Sequence, residues 1–326
     1  MAMVKIGIIG LGWMGSLHYK LLRESLGIDV VAVCDIDESR LEEPKKNRVR
    51  VYRDYREMLE EGGFDGVIIA TPPKFHKEQA IEALKRGFYV LLEKPMAKDL
   101  KEAMEIYNIA KGKNRLMIAF SLRFHELYTK IKEYIDQELG DIVYQWHIAL
   151  GRIPSYPWIG DREFSGGMLN ENGVHVLYYQ MWYAGEVDEV YATSRTLQQG
   201  ISIEDNIALY MKHRNGATSV FIQSWSGGHR WRKWGLVALR GRVTVEGYLG
   251  GSYTVSRMDG SIVEEKNFDK PIEDMYIAQL KHFIECIENS WRPIVNEEDG
   301  IKIQQIVEAA YLSSRESKPI KLPLSL

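Results

Sequence analysis

The sequence predicts an α/β chain in two domains: a doubly wound, mostly parallel sheet over residues 1–121, then an α+β domain with an antiparallel sheet over residues 122–326. Three observations predict it. Short apolar runs alternate with helical stretches up to about residue 120, the pattern of βαβ units. The first run feeds directly into Gly10-Leu11-Gly12-Trp13-Met14-Gly15, a glycine turn between a strand and a helix. Beyond residue 120, long strand-like runs follow one another with short Gly- and Asn-rich breaks such as Arg214-Asn215-Gly216, as antiparallel sheets do. At 326 residues the chain also exceeds what one core comfortably organises.

In the first domain, residues 4–9 form a β-rich run and residues 16–23 a helix. Between them the glycines play separate parts. Gly10 permits the tight turn, Gly12 lets backbone approach a pyrophosphate, and Gly15 lets the helix pack close to the strand. The helix N-terminus offers unpaired N–H donors and a positive dipole end to phosphates. The next strand, residues 29–34, ends in Asp35, placed to take the adenosine ribose hydroxyls of a dinucleotide. A carboxylate there repels a 2′-phosphate, so NAD is favoured and NADP remains possible, with Arg40 close enough in sequence to soften the preference. Strands at 48–52, 66–70, 89–92 and 115–120 then alternate with helices at 55–61, 75–86 and 99–111, completing a six-stranded Rossmann sheet.

The fifth strand carries the chemistry. Tyr89-Val90-Leu91-Leu92-Glu93-Lys94-Pro95 passes abruptly from apolar residues to a carboxylate, an amine and a proline. Ligands bind at the carboxyl ends of parallel strands, so Glu93 and Lys94 face a crevice, and Pro95 fixes the direction in which Lys94 leaves. Right-handed crossovers put Thr71 and Pro72 on the same edge. A structural Glu–Lys pair at a strand exit is the plain alternative.

In the second domain a helix at 125–138 leads to strands at 141–150, 187–196, 205–212, 218–225, 236–239 and 243–247, with helices at 272–289 and 297–314 closing the chain. One stretch stands apart: Gly166-Gly167-Met168-Leu169-Asn170-Glu171-Asn172-Gly173-Val174-His175, running into a helical segment. Glu171 and His175 are four apart and share a helix face. A carboxylate on one imidazole nitrogen leaves the other basic and aimed, as in a general base, although a core histidine satisfied by a carboxylate has the same spacing. Tyr156-Pro157-Trp158, just upstream, offers either an aromatic platform for a sugar face or ordinary loop packing.

Composition excludes several classes. Forty-two basic against 45 acidic residues give a net charge of -3, with no reason to expect a nucleic-acid partner. Arg230-Trp231-Arg232-Lys233-Trp234 mixes basic and aromatic side chains as single-strand binders do, but it is isolated and reads as a loop and strand start. No stretch approaches the roughly 18 apolar residues of a membrane span, and the first strand begins too early to leave room for a signal peptide. Cys34 and Cys286 suggest neither a disulfide framework nor a metal site, and the histidines show no ligand spacing. These features point to the cytoplasm.

Gly10–Gly15, Glu93-Lys94-Pro95 and Gly166–His175, in this order, resemble the glucose–fructose oxidoreductase and inositol dehydrogenase (Gfo/Idh/MocA) family over essentially the whole chain. Phe120-Ser121-Leu122-Arg123-Phe124 is similar to that family's Arg-Phe/Tyr segment, and Thr71-Pro72-Pro73-Lys74-Phe75-His76 resembles its Thr-Pro-Asn-x-x-His segment. The resemblance implies a large, open antiparallel sheet in the second domain whose outer face makes a homodimer or homotetramer. It also implies a nicotinamide cofactor and a sugar, sugar-derivative or cyclitol substrate. By motif, the cofactor set comprises Gly10, Gly12, Trp13, Met14, Gly15, Asp35, Thr71, Pro72, His76, Glu93 and Lys94. Lys94 would hydrogen-bond the reacting oxygen, Glu93 the nicotinamide-side ribose, and His175 would be the acid/base with Glu171 in the place of the family's aspartate. Arg123, Tyr156, Trp158 and Asn172 are candidate substrate contacts. The chain departs from the pattern at Glu171 for Asp, Ser165 for a third glycine, Pro73 for Asn and Ser121 for Asn.

The implied activity is hydride transfer between the nicotinamide and a secondary alcohol or ketone, with Lys94 or His175 as proton acceptor. A redox-assisted glycosidase and a non-catalytic dinucleotide sensor use the same fold; Lys94, Glu171 and His175 speak against the sensor.

Overall fold

The computed structural model describes residues 4–324, so the outermost residues of the two expected domains lie outside the described residues. The chain divides into two compact units, residues 1–121 with 273–302, and residues 122–272 with 303–326. The division breaks at the expected position after residue 121, and residues 273–302 also group with the first unit. Helix Glu273–Asn289 returns to the first unit, burying Met275, Leu280, Phe283 and Ile284. Phe283 and Ile287 stand against Gly66, where an added Cβ would meet their side chains at 3.2 and 2.7 Å.

The first unit is a six-stranded parallel sheet: β1 (Lys5–Ile9), β2 (Asp29–Cys34), β3 (Arg50–Tyr52), β4 (Gly66–Ile69), β5 (Tyr89–Leu92) and β6 (Leu116–Ile118), in the order β3-β2-β1-β4-β5-β6. This is the doubly wound order whose direction reverses between β1 and β4, the point at which such sheets bind ligands. Helices cover both faces of such a sheet, so β4 is buried at every residue and β1 at all but Lys5. That is why these strands read as continuous apolar runs. The expected helix at 16–23 begins earlier, at Trp13, and ends in a π-helical turn, Leu21–Ser25.

The second unit holds a nine-stranded sheet: β7 (Ile142–Arg152), β8 (Val187–Arg195), β9 (Asn206–His213), β10 (Thr218–Ser224), β11 (Ser226–Ala238), β12 (Gly241–Gly247), β13 (Gly251–Arg257), β14 (Ile262–Phe268) and β15 (Ile320–Lys321). Their order is β14-β13-β12-β11-β7-β10-β9-β8-β15, antiparallel except for the parallel pair β7–β10. Three of these strands, β13, β14 and β15, have no counterpart in the sequence expectation, and β11 starts ten residues before the strand expected at 236. One face is covered by helix Val174–Ala184, nearly every side chain of which is buried. The other face carries Tyr191, Tyr210, Val220 and Trp146 in one cross-strand row, the first three of them exposed.

Candidate active site

At the β1–β4 reversal the glycine turn is enforced by backbone proximity. Gly10 sits at φ +89°, and a Cβ there would lie 2.8 Å from the Ala70 carbonyl oxygen; at Gly15 it would lie 1.8 Å from that of Gly10. Gly12 is different: its absent side chain would meet nothing within 4 Å, leaving an approach to the backbone beside the start of helix Trp13–Lys20. Residues and shape thus fit a dinucleotide pyrophosphate on the N–H groups of this helix. Asp35 is buried at the end of β2, where Oδ2 accepts from Leu11 N at 2.6 Å and from Arg40 Nη1 at 3.3 Å, and Oδ1 accepts from Asp37 N at 2.8 Å. Its carboxylate therefore braces the glycine turn.

Glu93, also buried, lies 2.8 Å from His18 Nε2 on the glycine-turn helix, and its other oxygen accepts from Lys94 N at 3.3 Å. Sequence reasoning does not single out His18; its only signal is a position three residues past Gly15 on the helix's inward side. Lys94 is half-buried, and the Lys94–Pro95 bond is cis. His76 is fully buried, with Nδ1 2.8 Å from the Pro95 carbonyl and Nε2 2.8 Å from the Thr71 carbonyl. Burial pushes its pKa down, and a neutral ring donates to only one of the two carbonyls at a time. His76 thereby ties the Thr71-Pro72 turn to the segment carrying Lys94. Thr71 itself donates Oγ1–H to Gln79 Oε1 at 2.6 Å. Trp13 is exposed and Met14 half-buried at the first helical turn.

In the second unit the glycine pair is clamped. Gly166 (φ +78°) ends the short helix Arg162–Ser165, and Gly167 sits at φ +120°, where a Cβ would lie 2.1 Å from Tyr311 Oη and 2.9 Å from Glu204 Oε2. Glu204 is buried and accepts from Leu169 N at 2.8 Å, Tyr311 Oη–H at 2.7 Å and Arg162 Nη2 at 2.6 Å. Ser165, in the place of the third glycine, is accommodated because its Oγ donates to Asp161 O at 2.9 Å and accepts from Gly167 N at 3.2 Å. The chain then winds through a π-helical turn, Leu169–Gly173, into Val174–Ala184, so Glu171 and His175 lie on one continuous helical stretch. Glu171 is buried and His175 half-buried. Asn172 Oδ1 accepts from Gln223 Nε2 on β10 at 2.8 Å. Tyr248 has its phenol pushed up to about 12, chiefly by burial, with Arg232 lowering it and the nearby Glu171 carboxylate raising it.

The other candidates fall elsewhere. Arg123 stacks over the Trp182 ring at 4.0 Å, seven residues or about 10 Å along the helix from His175. Tyr156 is exposed and Trp158 half-buried around the turn Pro157–Gly160 that follows β7. No motif in the sequence marks Glu204, Arg162, Tyr311, Gln223 or Tyr248, and Arg232 stands out there only as part of the basic–aromatic run. Among the described residues no His/Cys/Asp/Glu group is arranged to hold a metal, and no helix is long and apolar enough to cross a membrane.

Residues 4–120 match the model of an oxidoreductase family with an NAD-binding Rossmann fold, and residues 132–322 match that family's C-terminal α/β domain. The chain belongs to the Gfo/Idh/MocA oxidoreductase family. As a Gfo/Idh/MocA member it is an NAD(P)-dependent oxidoreductase, in keeping with the glycine turn and Asp35. It is 25% identical to the myo-inositol 2-dehydrogenase of Thermotoga maritima, over 98% of each chain. It is 26% identical to the scyllo-inositol 2-dehydrogenase (NAD+) of Bacillus subtilis, over 98% of this chain and 96% of that one. The solved structure of an Agrobacterium radiobacter oxidoreductase, in complex with NAD+, L-tartaric acid and magnesium, superposes with a TM-score of 0.87 at 21% identity over 98% of both chains, which shows the shared fold.

Proposed function

We propose that this Gfo/Idh/MocA enzyme oxidises a secondary alcohol of a sugar, sugar derivative or cyclitol, or reduces the matching ketone. The observation that carries the reading is Lys94, which leaves β5 at the ligand-binding edge of a family-matched Rossmann unit, its backbone fixed by the buried Glu93–His18 pair. The names of the inositol dehydrogenases it resembles supply the substrate class. Bound NAD, held by Gly10, Gly12, Gly15 and Asp35, supplies the hydride acceptor. Lys94 donates a hydrogen bond to the reacting oxygen and steadies negative charge as it develops there. His175 takes the hydroxyl proton, and Glu171 favours the imidazolium that results. The reading also makes the exposed Tyr191–Tyr210–Val220 row the contact of a homo-oligomer. The two free, buried cysteines accord with a cytoplasmic enzyme.

The test is a screen of sugars and cyclitols with NAD and NADP by ultraviolet absorbance, then Lys94→Met on the best substrate. Loss of one such donor lowers kcat by about 100- to 1000-fold, while NAD affinity of the variant stays near that of the parent. Near-normal turnover would reject the assignment, because only a contact that strengthens in the transition state lowers kcat when it is removed.

A further inference from the structure

We infer that Arg232 makes the substrate site of the second unit selective for an anionic sugar or polyol, one bearing a carboxylate or phosphate. The inference rests on the dehydrogenase reading for the reaction but on different residues. It begins with the basic–aromatic run 230–234. Residues 231–237 pair regularly with β7, so their side chains alternate between the faces. Trp231 is exposed on the outer face, and Lys233 there pairs with Glu246 at 2.6 Å. Trp234 points to the helix-covered face, stacked on Tyr128 at 4.9 Å and packed with Tyr179 of the helix that carries His175. Arg232, two residues away, shares that face, half-buried, with its guanidinium over the Tyr248 ring at 4.1 Å.

The Tyr248 hydroxyl is a polar partner of Arg232 on this face, but it is not an anion. Among the described residues no carboxylate lies within ion-pair distance of Arg232, and its field reaches His147, a fully buried neighbour whose protonation it opposes. Taking a guanidinium partly out of water without an anion is unfavourable, and a planar fork over an aromatic ring is preorganised to bind one with two parallel N–H donors. Across the sheet, Arg232, Ala149 and Gln223 are register partners on β11, β7 and β10. Arg232 and Gln223 are thus two strand spacings apart, about 10 Å, with only a methyl group between. Gln223 is 2% exposed; its Nε2 holds Asn172, and its Oε1 has no hydrogen-bond partner among the described residues. One end of this row therefore carries a buried amide tied to Asn172 beside the Glu171–His175 stretch, and the other offers a cation.

The experiment compares glucose, glucuronate and glucose 6-phosphate as substrates with NAD, alongside calorimetric binding of each, for the parent, Arg232→Met and Arg232→Lys. At least one anion should exceed glucose in kcat/KM, glucuronate winning if the site takes a carboxylate and glucose 6-phosphate if it takes a phosphate. Arg232→Met should weaken that anion by about 10- to 100-fold, leave glucose within about threefold, and be partly restored by Lys. If glucose is preferred, if neither anion binds the parent, or if Arg232→Met lowers all three alike with a falling Tm, Arg232 is only packing and the inference is overturned. If no compound is oxidised but an anion binds in an Arg232-dependent way, the dehydrogenase reading fails and the anion site stands.

Discussion

Glu204→Gln tests whether the glycine pair before His175 is held by charge or merely by packing. Glutamine keeps the volume but turns one oxygen into an N–H donor, and three donors converge on Glu204: Leu169 N, Tyr311 Oη–H and Arg162 Nη2. One of them must lose its acceptor, and the other contacts lose their charge assistance. Hydrogen bonds to charged groups contribute about 1.5–3 kcal/mol each, and breaking a buried ion pair costs about 3–5 kcal/mol. The Arg162 side chain is 42% exposed and can turn to water, which removes the larger part of that penalty. We expect a loss of about 2–3 kcal/mol. For a unit of this size each kcal/mol moves Tm by about 2–4 °C, so the melting transition should fall by roughly 4–12 °C. The assay is calorimetry beside NAD titration. NAD affinity should hold, because the glycine turn and Asp35 belong to the other unit, while kcat falls as the His175 segment loosens. A Tm within about 1 °C of the parent, less than half a kcal/mol, would show that Gly167 and its neighbours are held by shape alone.

Other outcomes follow from the same structure. NAD should bind more tightly than NADP, and Asp35→Ser should narrow the gap by roughly tenfold, the scale of one charge-assisted contact, because Arg40 loses its partner; calorimetric titration decides, and tighter NADP binding to the parent would make Arg40 a phosphate ligand. Burial, reinforced by Arg232, pushes the His147 imidazole down to about 3. Below about pH 6.5 the unfolded chain binds a proton that the folded chain refuses until about pH 3, so stability falls with acid by up to about 1.4 kcal/mol per pH unit; His147→Gln should flatten that slope in melts from pH 7 to 4. Tyr210→Asp on the exposed sheet row should convert the oligomer to monomer in sedimentation at micromolar concentration, and a parent that is itself monomeric would refute the interface.

What is legible in the sequence depends on how far apart the interacting residues lie. The parallel sheet is legible because strands buried on both faces are continuous apolar runs punctuated by Gly and Asp. β14 is not, since its seven residues include Glu264, Glu265 and Lys266, and an edge strand needs only one apolar face. The first half of β11 escapes notice because Gly227-Gly228 and the basic run look like a loop, whereas the register with β7 shifts between Ser226 and Trp231 and then resumes. At the site, the motifs that can be read are local in sequence. Glu204 acts 35 residues from Leu169 and Glu93 acts 75 residues from His18, partnerships that no spacing announces.

Those long-range partners share one physical role. Each glycine segment must be pliant enough for backbone to approach a ligand, and pliancy alone would leave it disordered. In each case a buried carboxylate from another element removes that freedom. Asp35 accepts the Leu11 N–H between Gly10 and Gly12, and Glu204 accepts the Leu169 N–H two residues past Gly167. Glu93 grips His18 on the helix that the first glycine turn launches. The backbone N–H groups are thereby aimed before any ligand arrives, so binding does not have to order them. Replacing the glycines and neutralising the carboxylates should then fail differently. A side chain at Gly10 or Gly15 collides with backbone and changes the shape of the turn, whereas loss of Asp35 or Glu204 leaves the shape attainable but no longer preferred. The second kind of variant should recover ligand affinity on cooling more than the first.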